Sequence, residues 1–400
     1  MWLLVFIFFL LTFILGWTLF GYVILIWFLG LFRRRKKPNF PDKWPVISVI
    51  VPCYNEEEYI LNKLADIRAL DYPKECVEVF FVDGGSTDNT VSLLKNNIKN
   101  DEPYNIVISP NKGKIHQINY ALSKVKGDII VNTDTDSRLK KDALSWIAAE
   151  FAEAPDIYVV GAYCRPSNDA MDIEKYYWAT QNKWRFMETD ARSSSIVIAQ
   201  CYAFRRGLLE KFPDDVVADD VYIAFLANSM RYRTTYSRYA IATEMRVPRS
   251  YAEFFSHKFR KSNAFLRETL RFLYRLPEMG DFCKMMLLTR IAQQLLLPLT
   301  FVSWLLITGV LLTMFRFDVV IFGILTLIIL LVITNRIFAF VRLPVKEKQY
   351  PLDVVVKVYL FTNFILFVTG ISYLFFHQES TYAKIKQSND TDNIFQNNKG

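Results

Sequence analysis

Apolar residues are concentrated at the two ends of the chain, and a region of alternating apolar and polar segments lies between them. Residues 1–32 carry no charged side chain and are followed at once by the basic run 33–37. Three further apolar stretches, at 295–315, 319–335 and 354–376, are each long enough to cross the ~30 Å hydrocarbon core of a bilayer as a helix. The pattern therefore predicts four membrane-spanning segments around one polar domain.

The first apolar segment is predicted to be a permanent anchor. A cleaved signal peptide has basic residues before a shorter apolar core, and here the order is reversed. As a single helix, residues 1–32 would be ~48 Å long, so the segment must tilt, protrude or break in a ~30 Å core. Gly16 and Gly21 are candidate break points, and a hairpin of two short helices stays open as an alternative.

Basic residues predict the orientation, because they are retained on the cytoplasmic side of a membrane. The run 33–37 places the N-terminus outside and the middle of the chain in the cytoplasm, and the basic loop after residue 335 agrees with four spans. We therefore expect a multi-pass protein of the cell membrane with a cytoplasmic domain over 46–245. Amphipathic interfacial helices are predicted over 250–292, and a disordered polar tail over 379–400.

The middle region reads as an α/β domain. Apolar runs predict seven strands, at 46–51, 77–82, 105–108, 128–133, 157–163, 196–204 and 232–243. Helical patterns lie at 56–69, 87–97, 114–124, 140–151, 171–189 and 221–229. Apolar strands separated by helices predict a parallel sheet covered on both faces. In such sheets, ligands bind beyond the carboxyl ends of the strands.

Composition narrows the class of function. The formal net charge of +8 favours contact with a membrane surface and phosphate-bearing substrates. The basic and aromatic residues form no nucleic-acid-binding motif, so we expect no nucleic acid partner. Five cysteines are scattered without a CxxC pair, which predicts reduced thiols rather than a disulfide framework.

Asp134 and Asp136 are the most informative residues of the sequence. They follow directly on the predicted buried strand that ends near Thr133. Alternate residues of an extended chain point the same way, so the two carboxylates can address one point in space. Carboxylate oxygens suit Mg²⁺ or Mn²⁺, and such a cation can hold a diphosphate. The alternative is an acidic turn in which Asp136 or Ser137 caps the next helix.

Polar side chains also follow the first two predicted strands. Asn55, Ser86 and Asp88 suit helix caps, and Gly84–Gly85 suits a turn. Asp83 stands before the glycines, too early to cap the helix, so we predict that its carboxylate accepts an N–H group of a planar base. These side chains would share one rim of the sheet with the Asp134/Asp136 pair.

Two further sites carry charge at predicted helix starts. Asp219 and Asp220 are adjacent like charges, one of which would have a raised pKa and suit a general base. The alternative, favoured by the local sequence, is an N-cap with an acidic first turn. Lys114 lacks the spacing of a P-loop, but a lysine at a helix N-terminus can contact a phosphate. The helix predicted over 250–275 is amphipathic, so we expect most of its cations to contact lipid head groups. The alternative for one or two of them is a position facing the active site, where they would hold a leaving diphosphate.

The motifs occur in the order Pro-x-Tyr-Asn-Glu, Val-Asp-Gly-Gly-Ser-Thr-Asp, Asn-x-Gly-Lys, Asp-Thr-Asp, Ala-Asp-Asp and a basic helix. This order resembles that of the membrane-bound family 2 glycosyltransferases, which include hyaluronan, cellulose and poly-N-acetylglucosamine synthases and ceramide glucosyltransferase. The resemblance covers about 46–261. It implies a nucleotide-diphospho-sugar transferase (GT-A, Rossmann-like) fold and an inverting, metal-dependent transferase that uses a nucleotide-diphospho-sugar, usually a UDP-sugar.

The resemblance also implies roles for individual residues. Nucleotide contacts would come from Pro52, Tyr54, Glu56, Asp83 and Lys114. Asp134 and Asp136 would hold the ribose and the metal-bridged diphosphate and form the metal site, with Asp136 as the direct metal ligand. Asp220 would be the general base, with Asp219 next in line. Arg260 would offset the charge on the leaving diphosphate.

The acceptor is where the sequence departs from the family pattern. Processive members carry Gln-x-x-Arg-Trp, and the nearest match here, 257–261, has His for Gln and Lys261 for Trp. One hypothesis is single-sugar transfer to a lipid acceptor. Another is a polysaccharide synthase extending a growing saccharide, which four spans would support only with a homo-oligomer or an accessory subunit. A transporter or scaffold is disfavoured, because the predicted spans are almost free of charge.

Overall fold

A computed structural model describes residues 1–33, 35–346, 348–373 and 375 of the chain. The tail predicted over 379–400 and residues 374 and 376 of the span predicted over 354–376 lie outside the described residues. The described part combines an eight-stranded sheet, covered by helices, with four long apolar helices.

The central sheet is mixed. Its strands are β1 (Ile47–Cys53), β2 (Val77–Asp83), β3 (Tyr104–Ile108), β4 (Ile129–Asn132), β5 (Ser137–Leu139), β6 (Ile157–Pro166), β7 (Tyr202–Arg205) and β8 (Arg233–Glu244). Their order is β3-β2-β1-β4-β7-β6-β8-β5. Strands β3, β2, β1 and β4 pair in parallel, whereas β7 is antiparallel to both β4 and β6, and β5 is antiparallel to β8. The α/β class is confirmed, but the all-parallel sheet is wrong beyond β4, because a buried strand is apolar in either direction.

Two strand predictions need correction. Only the last part of the strand predicted over 196–204 forms β7, and the residues before it form a loop beside the sheet. The three-residue strand β5 was not predicted, because it is too short to show a periodicity. Both differences affect the candidate site described below.

Helices cover both faces of the sheet. They are α3 (Ile60–Arg68), α4 (Thr90–Asn97), α5 (Lys114–Leu122), α6 (Ala143–Glu153), α7 (Asp172–Ala191) and α8 (Asp219–Ser229). Alternate residues of β1 enter two hydrophobic cores: Val49 and Val51 pack under α3 and α6, and Ile50 packs on the opposite face with α5 and α8. This two-sided burial explains why the strands are apolar throughout.

The N-terminal segment is one continuous 30-residue helical rod, Trp2–Leu31. It consists of α1 (Trp2–Gly16) and α2 (Tyr22–Leu31), joined by a π-helical turn over Trp17–Gly21. The two predicted break points thus bound a local widening of the helix, and the hairpin alternative is excluded. A π turn shifts the backbone hydrogen bonds, and the carbonyl oxygen of Thr18 accepts from Gln293 Nε2 at 2.8 Å.

Three more helices are long and apolar enough to cross a membrane. The first, Asp281–Thr313, joins α10 (Asp281–Ile291) through a π turn to α11 (Leu297–Thr313), and the others are α12 (Phe317–Phe340) and α13 (Leu352–Tyr373). The four-span count from the sequence therefore agrees with four candidate spans among the described residues. The predicted boundary at 295 differs, because α10 runs into its span without a break.

The amphipathic helix α9 (Tyr251–Arg271) does not use its cations as predicted. It packs against α8, α10 and α13. Lys258 is buried and contacts Glu174 at 2.6 Å, and Arg271 contacts Asp215 at 2.7 Å. The expectation of lipid head groups is therefore wrong for Lys258 and Arg271, which pair with carboxylates of the protein. The alternative, that one or two of the cations face the active site, agrees with the position of Arg260 and Lys261 in the cavity described below.

Candidate active site

A cavity of about 1770 Å³ opens at the carboxyl ends of β1, β4 and β8 and extends to α12 and α13. Nine of the ten predicted site residues line it: Pro52, Tyr54, Glu56, Lys114, Asp134, Asp136, Asp219, Asp220 and Arg260. Residues separated by up to about two hundred positions in the chain thus line a single cavity. Those that follow β1 and β4 meet because these neighbouring strands are parallel and end at the same edge of the sheet.

Basic side chains hold the carboxylates at the mouth of the sheet. Lys114 Nζ lies 2.8 Å from Asp134 Oδ1, and Arg246 contacts Asp136 Oδ2 at 3.0 Å. The same guanidinium reaches Glu56 Oε2 at 2.7 Å. Burial raises the pKa of Asp136 to about 7, against the opposing effect of Arg246, and the neighbouring Asp134 and Glu56 add to the rise. Burial is therefore the main cost of ionising Asp136, and the two neighbouring carboxylates increase that cost.

Arg246 is a site residue that the sequence argument missed. The short strand β5 pairs with the end of β8, with Ser137 opposite Glu244, and Met245 N donates to Asp136 O at 3.0 Å. This pairing places Arg246 beside the Asp134/Asp136 loop. The rule that ligands collect at strand carboxyl ends, applied to β8, would have identified it.

The carboxylates fit a hard divalent cation. Such ions are often held by one or two carboxylates, with water and substrate phosphates completing the coordination. Asp134 and Asp136 offer that set, and the raised pKa of Asp136 marks a place where added positive charge is favourable. Among residues 1–33, 35–346, 348–373 and 375, no three His, Cys, Asp or Glu side chains form an all-protein metal cage. The residues thus suit Mg²⁺ or Mn²⁺ shared with a phosphate ligand.

Asp83 is placed differently from the prediction. Its side chain is only 2% exposed and does not line the cavity. Its carboxylate accepts hydrogen bonds from Gly85 N at 2.8 Å, Ser86 N at 3.0 Å and Ser86 Oγ at 2.5 Å. As predicted, Asp83 does not cap the next helix, whose N-cap is Asn89. It has a local role that was not predicted, because an aspartate readily bonds the backbone two and three residues ahead. Its contact with a base stays a prediction.

The adjacent Asp219 and Asp220 have different environments at the start of α8. Asp219 is 4% exposed, accepts from the Tyr202 hydroxyl at 2.7 Å and lies 3.3 Å from Lys114 Nζ. Asp220 accepts from Ala199 N at 3.2 Å and remains partly exposed to the cavity. The N-cap is Ala218, so the capping alternative is wrong, although both carboxylates lie in the first turn.

The electrostatics separate the two carboxylates further. Burial, together with the charge of Asp219, raises the pKa of Asp220 to about 6. A carboxylate with this pKa, open to the cavity, suits proton transfer near neutral pH. Asp219, by contrast, links Tyr202 to Lys114 and so positions the lysine.

Lys63, a second residue missed from the sequence, supports the Asp134/Asp136 loop from below. It is fully buried in α3, and its Nζ donates to Thr133 Oγ1 at 2.8 Å and to Ser137 O at 2.6 Å. These acceptors flank the loop on both sides. Burial lowers the pKa of Lys63 to about 8. Lys63 lies within the helix predicted over 56–69, and nothing in that helical pattern indicates that its side chain is buried beneath the loop.

Lys261, which replaces the tryptophan of the family pattern, contacts a glutamate at the end of β8. Its Nζ lies 3.5 Å from Glu244 Oε1, and Gln200 Nε2 donates to the same oxygen at 2.6 Å. The Lys261 ammonium is 5.4 Å from the ring of Trp178, which comes from α7. An indole therefore does line the cavity near this position, although it comes from a different helix.

Comparisons with known proteins agree with this geometry. Residues 48–212 match the family model described as Glycosyl transferase family 2. An N-acetylglucosaminyltransferase of Rhizobium leguminosarum bv. viciae is 28% identical over 258 residues, which cover 60% of this chain and 60% of the relative. A poly-beta-1,6-N-acetyl-D-glucosamine synthase of Staphylococcus aureus (strain COL) is 27% identical over 145 residues, covering 36% and 35%. The chain thus spans about 60% of the length of the first of these relatives.

One solved structure is similar over nearly its whole length. A mannosyltransferase from Pyrobaculum calidifontis, in complex with GDP-Man and Mn²⁺, superposes with a TM-score of 0.66 and 23% sequence identity. The match covers 91% of this chain and 98% of that chain. The predicted GT-A glycosyltransferase fold is confirmed by this likeness.

Replacing Lys63 should change how stability depends on pH. The folded pKa near 8 lies below the ordinary value of 10.5, so the unfolded chain binds more protons between these limits. Wild-type stability should therefore gain up to about 1.4 kcal/mol per pH unit in this window from this group. Thermal unfolding of purified protein from pH 7 to 10 should show this gain in wild type and in the exposed control Lys95→Met, but not in Lys63→Met. Parallel curves for all three proteins would contradict it.

Proposed function

This chain carries a family 2 glycosyltransferase domain, and we propose that it moves a sugar from a nucleotide-diphospho-sugar to a lipid acceptor at the cytoplasmic face of the cell membrane. One observation carries the proposal. The cavity that contains the carboxylates at the strand ends continues without interruption to the candidate membrane helices. A water-soluble acceptor would not require that continuity.

The distant part of the cavity has the character of a lipid path. Leu331, Val332 and Phe338 of α12 and Val355 and Leu366 of α13 line it. Apolar side chains of this kind bind an acyl or prenyl chain by burying its surface, at about 25 cal/mol per Å². The acceptor group at the head of such a chain would then approach the carboxylates from the membrane side.

The donor is assigned from the residues on the sheet side and from the relatives. Pro52, Tyr54 and Lys114 line the part of the cavity where the resemblance places a nucleotide. Relatives named N-acetylglucosaminyltransferase make UDP-N-acetylglucosamine the first donor to test, and the similar structure with GDP-Man makes GDP-mannose the second. Glu56 supports this region through Arg246 rather than through a free carboxylate.

The chemistry is a single displacement. An acceptor hydroxyl oxygen attacks the anomeric carbon as the bond from that carbon to the diphosphate oxygen breaks, so the configuration inverts. The hydroxyl proton passes to Asp220, and the electron pair leaves with the nucleoside diphosphate. Lys114 and Arg260, which line the cavity, would stabilise the leaving charge. A divalent cation held by Asp134 and Asp136 supplies further neutralisation of the diphosphate when bound.

A polysaccharide synthase is the second candidate function. The relative from Staphylococcus aureus carries the name of such a synthase, and a cavity of about 1770 Å³ has room for several sugar units. The apolar lining along α12 and α13 favours a lipid over a hydrated polymer. A polymer route would also need a homo-oligomer or an accessory subunit to widen the conduit.

The products of the reaction decide between the two functions. Purified full-length protein would be incubated with Mn²⁺, a membrane lipid extract, and UDP-N-acetylglucosamine, UDP-glucose, UDP-galactose or GDP-mannose in turn. Mass spectrometry should find one lipid species heavier by a single sugar, formed from one preferred donor. A ladder of long saccharides would replace the lipid transferase with the synthase, and the absence of any sugar transfer would refute both.

Removing the Asp136 carboxylate should abolish metal-dependent donor binding. Asp136→Asn keeps the shape of the side chain but removes the charge that a divalent cation requires. We expect Mn²⁺-dependent binding of UDP, measured by calorimetry, to weaken at least about tenfold, with sugar transfer lost as it is when EDTA is added to wild type. The exposed control Asp101→Asn should bind as wild type does. Turnover of the wild-type protein in EDTA would contradict the metal assignment.

Replacing Asp220 should stop proton transfer without preventing donor binding. Asp220→Asn should lower turnover by about 10²–10⁴-fold, the usual contribution of a general base. Because the carboxyl pKa is raised to about 6, wild-type kcat/KM should fall as the pH drops below about 6, where the base becomes protonated. The neighbouring variant Asp219→Asn should instead weaken donor binding and keep the acidic limb. If Asp219→Asn lowered turnover and Asp220→Asn weakened donor binding, Asp219 would be the base.

A further inference from the structure

Three cationic side chains surround one indole ring in the wall of the cavity. The Arg185 guanidinium carbon lies 5.6 Å from the ring centre of Trp178, and the ammonium groups of Lys258 and Lys261 lie at 5.3 Å and 5.4 Å. All four residues line the cavity. Positive charge is thus collected around one ring.

Two carboxylates compensate two of these charges. Glu174 contacts Lys258 at 2.6 Å and also accepts from Trp178 Nε1 at 2.9 Å. Glu244 lies 3.5 Å from Lys261. Among the three cations, Arg185 is the one that forms no ion pair with a carboxylate within the described ranges of the chain.

Arg185 is buried without a polar partner for most of its donors. The residue is only 6% exposed, and its Nε and Nη1 atoms have no hydrogen-bond partner within the described residues. Its remaining contacts are with aromatic rings: Trp178 and, also at 5.6 Å, Tyr236. The Tyr236 hydroxyl is occupied, since it donates to Asn182 Oδ1 at 2.7 Å and accepts from Cys164 N at 2.9 Å.

Such an arrangement is costly unless an anion completes it. A buried charge that lacks a partner is strongly unfavourable, and ring faces offset only part of the cost at this distance. A guanidinium presents its N–H groups as a fork that matches the oxygens of a phosphate. The geometry therefore favours a phosphate group over a single-point acceptor.

The position of Arg185 indicates which ligand would bring the phosphate. Helix α7 carries Trp178 beside Lys261 and, one and a half turns later, Trp184 against Phe338 of α12, with ring centres 6.4 Å apart. Arg185 follows directly on Trp184 and lines the same cavity. It thus belongs to the stretch of wall that leads from the reactive carboxylates to the apolar path.

We propose that Arg185, with Lys258 and Lys261, forms a phosphate subsite that anchors the head group of an anionic lipid acceptor. This inference rests on the proposed lipid transferase function and narrows its acceptor to lipids bearing a phosphate or diphosphate. The donor diphosphate is assigned to Asp134, Asp136, Lys114 and Arg260, and Arg185 is not among these residues.

Binding of matched small lipids tests the proposal without any turnover. Geranyl phosphate and geraniol share one prenyl chain and differ in the phosphate. Calorimetry with the purified full-length protein should show geranyl phosphate binding at least about tenfold tighter than geraniol, as expected for charge-assisted hydrogen bonds. Equal affinities in wild type would overturn the subsite, whatever the variants do. Inorganic phosphate that binds as tightly as geranyl phosphate would overturn the lipid as its source.

Variants locate the effect at Arg185. Arg185→Gln should remove the preference for geranyl phosphate, Arg185→Lys should keep part of it, and the exposed control Arg206→Gln should keep all of it. Unchanged Mn²⁺-dependent UDP binding in Arg185→Gln shows that the domain remains folded. A preference that survives intact in Arg185→Gln would overturn the assignment. Phosphate-dependent binding with no sugar transfer in the product assay would refute the transferase function alone.

Discussion

The cost of burying carboxylates together at the carboxyl ends of the strands is the constraint on which the site depends. Asp134 and Asp136 stand together at one edge of the sheet, and three basic residues from other elements make this possible. Lys114 and Arg246 pair with them from above, and Lys63 holds the flanks of their loop from below. Burial still raises the pKa of Asp136, and the neighbouring carboxylates add to the rise. The positive charge of a divalent cation would therefore be favourable beside it.

The cavity couples this charged edge to the candidate membrane helices through a shared wall. Helix α7 contributes to both ends, and the π turns in the first and second long helices meet where Gln293 donates to the carbonyl of Thr18. This contact satisfies a side-chain donor of one apolar helix with a backbone carbonyl of the other. The same irregularities that fit the helices together also line the cavity. Packing of the apolar helices and the shape of the site are therefore determined by the same contacts.

Amphipathicity alone did not reveal where α9 directs its cations. A helix with one charged and one apolar face suits a membrane surface and suits equally a polar cavity on one side and apolar helices on the other. The structure has the second arrangement, with Lys258 and Lys261 turned toward Glu174 and Glu244. Which of the two arrangements forms depends on carboxylates of α7 and β8, which are distant from α9 in the sequence. The spacing of residues within α9 carries no information about these carboxylates.

The sequence by itself determined the α/β class, the order of the motifs, the four apolar spans and the strand ends at which nine of ten predicted site residues meet. These features are local. The spacing of apolar residues within one helix or strand shows which side is buried, and each motif lies within a single turn or strand end. Tertiary structure decided the rest: the antiparallel β7, the burial of Asp83, the contrast between Asp219 and Asp220, and the roles of Arg246 and Arg185. Each depends on which distant side chain lies opposite, and the energy of a charge is set by those neighbours rather than by its place in the chain.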